Sequence, residues 1–289
     1  MNSLFLALIA SCCSSCSAFC FRKNVSFSNN SSSGYLVLFY FFSFFLSILL
    51  SPQIWNIPIN LALFSMGVCV GLLNSTLMMF ISKALRCGPS GLTYAFLNAS
   101  AVFPGLILFF LLGNDFGFAC SPLQLVGMSF VLCGLFFGAK KKLEEASPQF
   151  AKWLKYAFIC FIIQIFALTC IQGRCIFSFP QTEDVWFMPG QFGASFTMQL
   201  ILFLREKRSF EKNEIFFSSI GGLANFGSTG LLLLATKFAL PFEKGIIFPC
   251  FAVTSMILSN LWANRIYKER FNYKTNALCS LGTFIAVLS

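Results

Sequence analysis

Long apolar runs alternate with short polar breaks along the whole chain. A helix that crosses a membrane needs about 20 mostly apolar residues. Ten stretches come close to that length: 4–21, 34–51, 58–82, 89–112, 121–139, 153–173, 189–204, 215–236, 241–264 and 273–288. The breaks are brief. Residues 24–33 read as a Ser/Asn loop. Residues 140–152 form the most charged linker, with Ser147-Pro148 as a helix breaker, and 181–186 is another polar loop. Residues 205–214 read as a solvated loop and nothing more. No stretch is left for a large water-soluble domain. The pattern predicts an all-α integral membrane protein with ten transmembrane helices.

Composition narrows the chemistry. Of the 289 residues, 57% are hydrophobic and only 10% charged, against about 25% charged in soluble domains. The mean hydropathy is +0.78. Such a chain cannot cover itself with a water-compatible surface. It also has 40 phenylalanines and no histidine, so Ser-His-Asp catalysis, Cys-His catalysis and His-containing metal sites are excluded. No enzyme, metal or cofactor is expected. The 13 cysteines lie mostly in apolar runs, as with Cys69, Cys133, Cys160 and Cys279, where a free thiol acts as a small hydrophobe. Cys13 and Cys16 have CxxC spacing, but no second pair or histidine accompanies them.

The formal charge of +10 does not point to nucleic acid, because the cations sit between the apolar runs. The lipid bilayer is the expected partner. Nearly all of the 20 Lys and Arg residues follow odd-numbered helices; Arg174, Lys237 and Lys244 are the exceptions. Cytoplasmic loops collect such residues, so the pattern places odd-numbered loops in the cytoplasm and both termini outside. Residues 4–21 resemble a signal-peptide core, and Ile9-Ala10-Ser11-Cys12 resembles a lipoprotein cleavage box. Positive charge normally precedes such a core. Here Arg22-Lys23 follow it, so the segment reads as a retained first helix.

An internal repeat runs through the chain. Gly71-Leu72-Leu73-Asn74 in helix three matches Gly222-Leu223-Ala224-Asn225 in helix eight. Lys83 followed by Gly91 matches Lys237 followed by Gly245; Asp115 then falls opposite Glu269, and Gly127 beside Gly282. Residues 1–139 and 153–289 therefore read as two copies of one five-helix unit, joined by the linker 140–152. Five is odd, so the second copy enters the membrane upside down. Inverted repeats of this kind build secondary transporters, with the substrate site near the midplane.

The stretch from Ile81 through Lys83, Arg86, Gly88-Pro89 and Gly91 to Tyr94 resembles the connection between helices three and four of the drug/metabolite transporter superfamily. Pro241 to Arg270, ending Tyr267-Lys268-Glu269-Arg270, resembles that superfamily's ninth helix and the acidic-basic pair after it. The resemblance is to the EamA-like ten-helix members, over nearly the whole chain. The first helix lacks the Trp-Gly pair common among them. The resemblance implies a ten-helix carrier of two inverted repeats, in which a monomer is plausible.

Polar side chains inside a membrane are costly and face the bundle interior. Asn74 and Asn225, related by the repeat, are the leading substrate-binding candidates, although interhelical bonding explains buried asparagines equally well. Tyr94, Asn98, Ala101 and Gly105 share a face of helix four. Phe248, Ala252, Ser255 and Ser259 share the corresponding face of helix nine, and the two faces could wall one cavity. Gln164 and Gln199 are further candidates. In helix one, Ser11, Ser14, Ser15 and Ser17 fit close packing as well as a pathway. Pro104 and Pro249 are hinge candidates, since each removes a backbone hydrogen bond. No carboxylate falls near the middle of a predicted helix; Glu243 comes closest.

These features predict a secondary transporter of a small polar metabolite that works by alternating access, through exchange or facilitated movement. Amino acids, sugar or nucleotide derivatives and S-adenosylmethionine are the candidate substrates. The alternatives are a proton-coupled exporter of the same superfamily and a structural or assembly membrane protein that carries nothing. Heavy phenylalanine use suggests an AT-rich genome of a host-dependent bacterium, and with it the inner membrane.

Overall fold

The computed structural model describes residues 3–27, 31–51, 55–113, 121–143, 148–174, 184–239, 244–269 and 273–287. Eleven α-helices account for most of them: α1 Ser3–Phe27, α2 Ser33–Leu49, α3 Leu61–Cys87, α4 Ser90–Ala99, α5 Phe103–Leu112, α6 Pro122–Leu143, α7 Pro148–Gly173, α8 Phe187–Glu206, α9 Lys212–Phe238, α10 Lys244–Tyr267 and α11 Tyr273–Val287. Among the described residues there is no strand.

Every predicted apolar run falls on helix. The fourth is split: α4 and α5 are separated by a 3-10 turn at Ser100–Val102. Pro104 sits in the first turn of α5, where its missing N–H costs no helical bond. Pro249 lies inside α10. Of the four residues expected to share one face of helix four, Tyr94 and Asn98 line a common cavity, whereas Ala101 lies in the apolar core and Gly105, beyond the 3-10 turn, is not on it.

Seven helices are long and apolar enough to cross a membrane, counting α4 and α5 as one: α1, α3, α4 with α5, α7, α8, α9 and α10. α2 and a stretch of α6, Leu125–Gly134, are shorter apolar helices. The protein has the architecture of a multi-pass membrane protein.

In the linker 140–152, α6 continues to Leu143 and α7 begins at Pro148, while residues 144–147 lie outside the described residues. Proline suits the first turn of a helix, and Pro148 opens α7. One predicted loop is corrected. Residues 205–214 are not merely solvated. α8 reaches Glu206, α9 starts at Lys212, and Glu211 and Glu214 form a capping box at the start of α9. Asp115, Pro241, Glu243 and Arg270 lie outside the described residues.

Helix pairing is specific. α1 packs on α9 and α10, and α7 packs on α3, α4 and α5. α2 packs on α8 and α9, α3 on α8, α4 on α10, and α6 on α11. Between helices in lipid, close approach depends on small residues, and glycines mark these crossings. A Cβ on Gly71 would strike the Gln191 carbonyl of α8. One on Gly222 would come within 2.6 Å of the Phe39 carbonyl of α2. One on Gly282 would strike the Gly127 carbonyl of α6.

The bundle has two distinct ends. At the first, the Arg22 Nη1 of α1 donates to the Leu85 carbonyl of α3 at 2.8 Å. There too Glu269, just after α10, accepts bonds at the start of α4. At the second end, the Arg174 guanidinium after α7 meets the C-terminal turns of α9.

Candidate functional site

Eight helical elements surround a central cavity of about 190 Å3. α1 contributes Ser14 and Ser17, α2 Phe39 and Tyr40, and α3 Asn74 and Met78. From α4 come Tyr94 and Asn98, from α7 Gln164, and from α8 Gln191. α9 supplies Asn225, Ser228 and Thr229, and α10 Phe251 and Ser255. α6 and α11 pair with each other, and among the described residues neither contributes to the lining.

Two apolar clusters cap this space. Toward the first end, Leu77, Ile81, Tyr94 and Leu97 belong to a buried cluster with Phe21, Tyr35 and Leu85. Toward the second, Leu168, Ile171, Leu232 and Leu233 belong to one with Leu6, Phe187 and Phe248. Both clusters contribute to the cavity wall. The polar middle is therefore flanked on both sides by apolar packing.

Of the seven binding candidates, Asn74, Tyr94, Asn98, Gln164, Asn225 and Ser255 line the cavity. Ser259 does not. It is buried, and its Oγ has no hydrogen-bond partner. One turn beyond Ser255 on α10, it points past the cavity. Gln199 also lies elsewhere: its Nε2 donates to the Ser75 Oγ at 2.7 Å and to the Ser75 carbonyl at 3.3 Å, joining α8 to α3. Phe248 and Ala252 face the apolar core rather than the lining.

The polar groups differ in how far they are already engaged. The Tyr94 hydroxyl donates to the Ala18 carbonyl of α1 at 3.1 Å, and its ring meets Trp262 edge-on. The Ser255 Oγ lies 3.4 Å from the Ser14 Oγ. The Asn225 Nδ2 donates to the Ser43 Oγ of α2 at 3.2 Å. Asn74 and Asn98 have no hydrogen-bond partner among the described residues. The Gln164 Oε1 and Gln191 Oε1 are buried and unpartnered, and Gln191 is only 2% exposed. An unsatisfied buried acceptor costs about 1–3 kcal/mol, so these oxygens are sites where a ligand donor gains most.

The same joint occurs twice around the cavity. The Ser43 Oγ of α2 donates to the Gly222 carbonyl at 3.0 Å and to the Phe39 carbonyl at 3.1 Å. The Ser195 Oγ of α8 donates to the Gly71 carbonyl at 2.8 Å and to the Gln191 carbonyl at 2.9 Å. A pair of arginines repeats in the same way. Arg22 closes α1 on α3 under the Tyr267 ring, 4.9 Å from its centroid. Arg174 closes α7 on α9, donating to the Leu233 carbonyl at 3.2 Å and the Thr236 Oγ1 at 2.8 Å, with the Phe187 ring 5.9 Å away. Arg174 is fully buried, whereas Arg22 is partly exposed.

Among the described residues, charged groups sit at the ends and not in the cavity. Glu269 accepts from the Ser90 N at 2.9 Å, the Ser90 Oγ at 2.5 Å and the Gly91 N at 2.9 Å. It satisfies the free N–H groups that open α4 and meets the positive pole of that helix. In the loop after α8, the Arg208 guanidinium grips Glu214 with two bonds, of 2.9 and 2.7 Å, and Glu206 with one of 3.0 Å. Bonding to Glu214 first, and then to Glu206, holds the Arg208 pKa above its ordinary value despite partial burial. Glu206 also accepts from the Ser31 and Ser33 hydroxyls, each at 2.6 Å. These bonds tie the start of α2 to the α8–α9 turn. Lys83 and Lys237 are exposed.

Sequence reasoning missed Gln191, Tyr40, Ser228 and Thr229 as lining, and took Arg174 for a loop residue. A glutamine next to Pro189-Gly190 in an apolar run was the available signal for the first. The matching positions of Arg22 near the end of α1 and Arg174 just after α7 were the signal for the last. A larger groove of about 880 Å3 lies between α2, α3 and α8, but its wall is almost wholly apolar, with Phe44, Phe64, Trp55 and Trp186 among its residues. Its chemistry is that of a lipid-facing surface.

No protein-family model and no curated protein matches the sequence. Fifteen chains of solved structures match the fold. One is a crystal structure with a TM-score of 0.67 and 13% identity, covering 99% of this chain and 96% of that one. At that identity the likeness shows a shared fold.

Proposed function

We propose that the chain is a secondary transporter in which two inverted five-helix repeats rock about the central cavity. Counting α4 with α5 as one crossing gives ten. Exchanging each crossing of the first half with its counterpart in the second maps the main helix pairs onto one another. α1 on α9 becomes α7 on α3, α3 on α8 becomes α9 on α2, and α1 on α10 becomes α7 on α4 and α5. The pairs α2 with α8, α4 with α10, and α6 with α11 map to themselves. The twin serine joints and twin arginines follow the same exchange. They support an inverted repeat; the drug/metabolite transporter plan and a place in a bacterial inner membrane are proposed from the sequence.

The observation that carries the reading is the convergence of six polar residues, Asn74, Tyr94, Asn98, Gln164, Asn225 and Ser255, on one cavity lined from both halves of the chain. An assembly protein has no need to keep unsatisfied amides around empty space, where glue would pair them. Its volume lies below the roughly 300–1,000 Å3 of drug-sized ligand pockets, which favours small solutes over nucleotide sugars. No carboxylate lines it among the described residues, which favours exchange or facilitated movement over proton coupling.

Counterflow in proteoliposomes tests this. Vesicles preloaded with one unlabelled solute at a time should take up the matching label, with saturation and without an ion gradient. A panel of small amino acids, nucleobases, nucleosides and S-adenosylmethionine that gives no exchange, with or without an imposed proton or sodium gradient, rejects the carrier reading.

A further inference from the structure

We infer that the cavity selects a small uncharged planar solute whose rim carries donors and acceptors side by side, the chemistry of a free nucleobase, and that Gln164 and Gln191 determine this specificity. The inference deepens the transport reading of the same site and rests on it.

Charge is the first discriminator. No Lys, Arg, Asp or Glu lines the cavity among the described residues. The nearest fixed charges are consumed at the ends of the bundle, where Arg22 and Arg174 bind carbonyls and Glu269 caps α4. A solute with net charge would enter without a counter-charge, and the desolvation penalty for an unpaired ion is several kcal/mol.

Shape and hydrogen bonding are the second. Five carboxamides face the space: Asn74, Asn98, Gln164, Gln191 and Asn225. A carboxamide is flat and presents two donors beside an acceptor with two lone pairs. That edge matches the donor–acceptor edge of a nucleobase, as Asn and Gln do when they pair bidentately with adenine. Asn225 is partly spent on Ser43, but the buried Gln164 and Gln191 oxygens have no donor. The rings of Phe39, Tyr40, Tyr94 and Phe251 supply flat apolar walls, and base–aromatic stacking contributes about 1–3 kcal/mol per base. The 190 Å3 volume suits a bare base better than one carrying a sugar and phosphate.

The test is equilibrium dialysis of the purified full chain in lipid nanodiscs. Labelled adenine and uracil are the uncharged probes; adenosine monophosphate, arginine and glutamate are the charged ones. Saturable binding of adenine or uracil is expected, without binding of the charged probes. Gln191→Ala and Gln164→Ala should each weaken it about tenfold, the equivalent of 1.4 kcal/mol. Thr197→Ala on the same helix as Gln191, whose hydroxyl only returns to the Gly193 carbonyl, should leave binding unchanged. Tm is followed for each variant, so that lost folding is separated from lost affinity. Binding of a charged probe in preference to both bases overturns the inference, as does no base binding by protein that keeps its Tm. Base binding without counterflow would keep the selectivity and reject transport. Counterflow of a charged solute without base binding would do the reverse.

Discussion

The two Gly-x-x-Asn helices, α3 and α9, dock by the same joint and then part company. On each, a glycine carbonyl takes a serine hydroxyl from the neighbouring helix, Ser195 for α3 and Ser43 for α9. The asparagine three residues later differs. Asn225 is tied to Ser43, whereas Asn74 has no partner among the described residues. The proposed inverted repeat would account for the shared joint, and the unshared asparagine marks where the two helices present different chemistry to the cavity. A symmetric carrier would need both amides in the same state; one frozen in a single conformation need not.

The largest break in this comparison should come from the arginines. Arg174→Met removes charge-assisted bonds to Leu233 and Thr236 in a fully buried position. Hydrogen bonds to charged groups contribute about 1.5–3 kcal/mol each, so a loss of about 3 kcal/mol is expected. Arg22→Met removes one such bond at a partly exposed site, where screening leaves roughly 1 kcal/mol or less. Thermal unfolding in detergent should show the Arg174 variant with the much lower Tm. Equal falls would mean that the two ends are closed alike.

Next come the glycines. Gly71→Ala and Gly222→Ala each drive a methyl group into a backbone carbonyl that cannot swing aside. Overpacking of this kind costs about 1–3 kcal/mol. The two variants should lose similar amounts, because the joint is shared. A fall confined to one of them would show that the helices are not docked equivalently.

Much of this was legible in the sequence, for definite reasons. Apolar length favours helix, so the ten runs fell largely on helix among the described residues, and seven helices are long and apolar enough to cross a membrane. The repeated Gly-x-x-Asn pointed to both docking helices, because glycine is the residue that close helix contact demands. Tyr94, Asn98 and Gln164 were found because polarity in an apolar run is costly unless it faces something polar. Three things stayed hidden. The break at Ser100–Val102 has no strong local signal, since Pro104 reads equally as an interior kink. Ser259 and Gln199 carry the right chemistry, but helix rotation decides whether such a residue faces a cavity or a neighbour, and tertiary packing sets that rotation. The Arg208 network joins residues far apart in the chain, Ser31 and Ser33 with Glu206, so no local window contains it.

The asparagines provide a sharper contrast with a smaller effect on stability. Asn74→Ala removes an unpaired amide, so Tm should hold while counterflow or base binding weakens about tenfold, the worth of a 1.4 kcal/mol contact. Asn225→Ala breaks its bond to Ser43. Interhelical hydrogen bonds in membranes average about 0.6 kcal/mol, so a slight fall in Tm should accompany a smaller loss of binding. The reverse order, with Asn225 critical for binding and Asn74 for stability, would reject the assignment of the free amide to the solute.

The serines give the finest test, because they differ only in what each leaves behind. Ser195→Ala removes a hydroxyl whose two acceptors, the Gly71 and Gln191 carbonyls, are backbone groups on helical interiors already receiving N–H bonds. Ser43→Ala removes the same two bonds from the Gly222 and Phe39 carbonyls and also deprives the Asn225 amide of its acceptor. The second variant should therefore be less stable than the first by about 0.5 kcal/mol, on the scale of one interhelical bond in a membrane. In an Asn225→Ala background that difference should vanish, since the amide that made Ser43 special is gone. A double-mutant cycle on Tm resolves it. A difference that persists without Asn225 would place the asymmetry in the helix packing rather than in the asparagine.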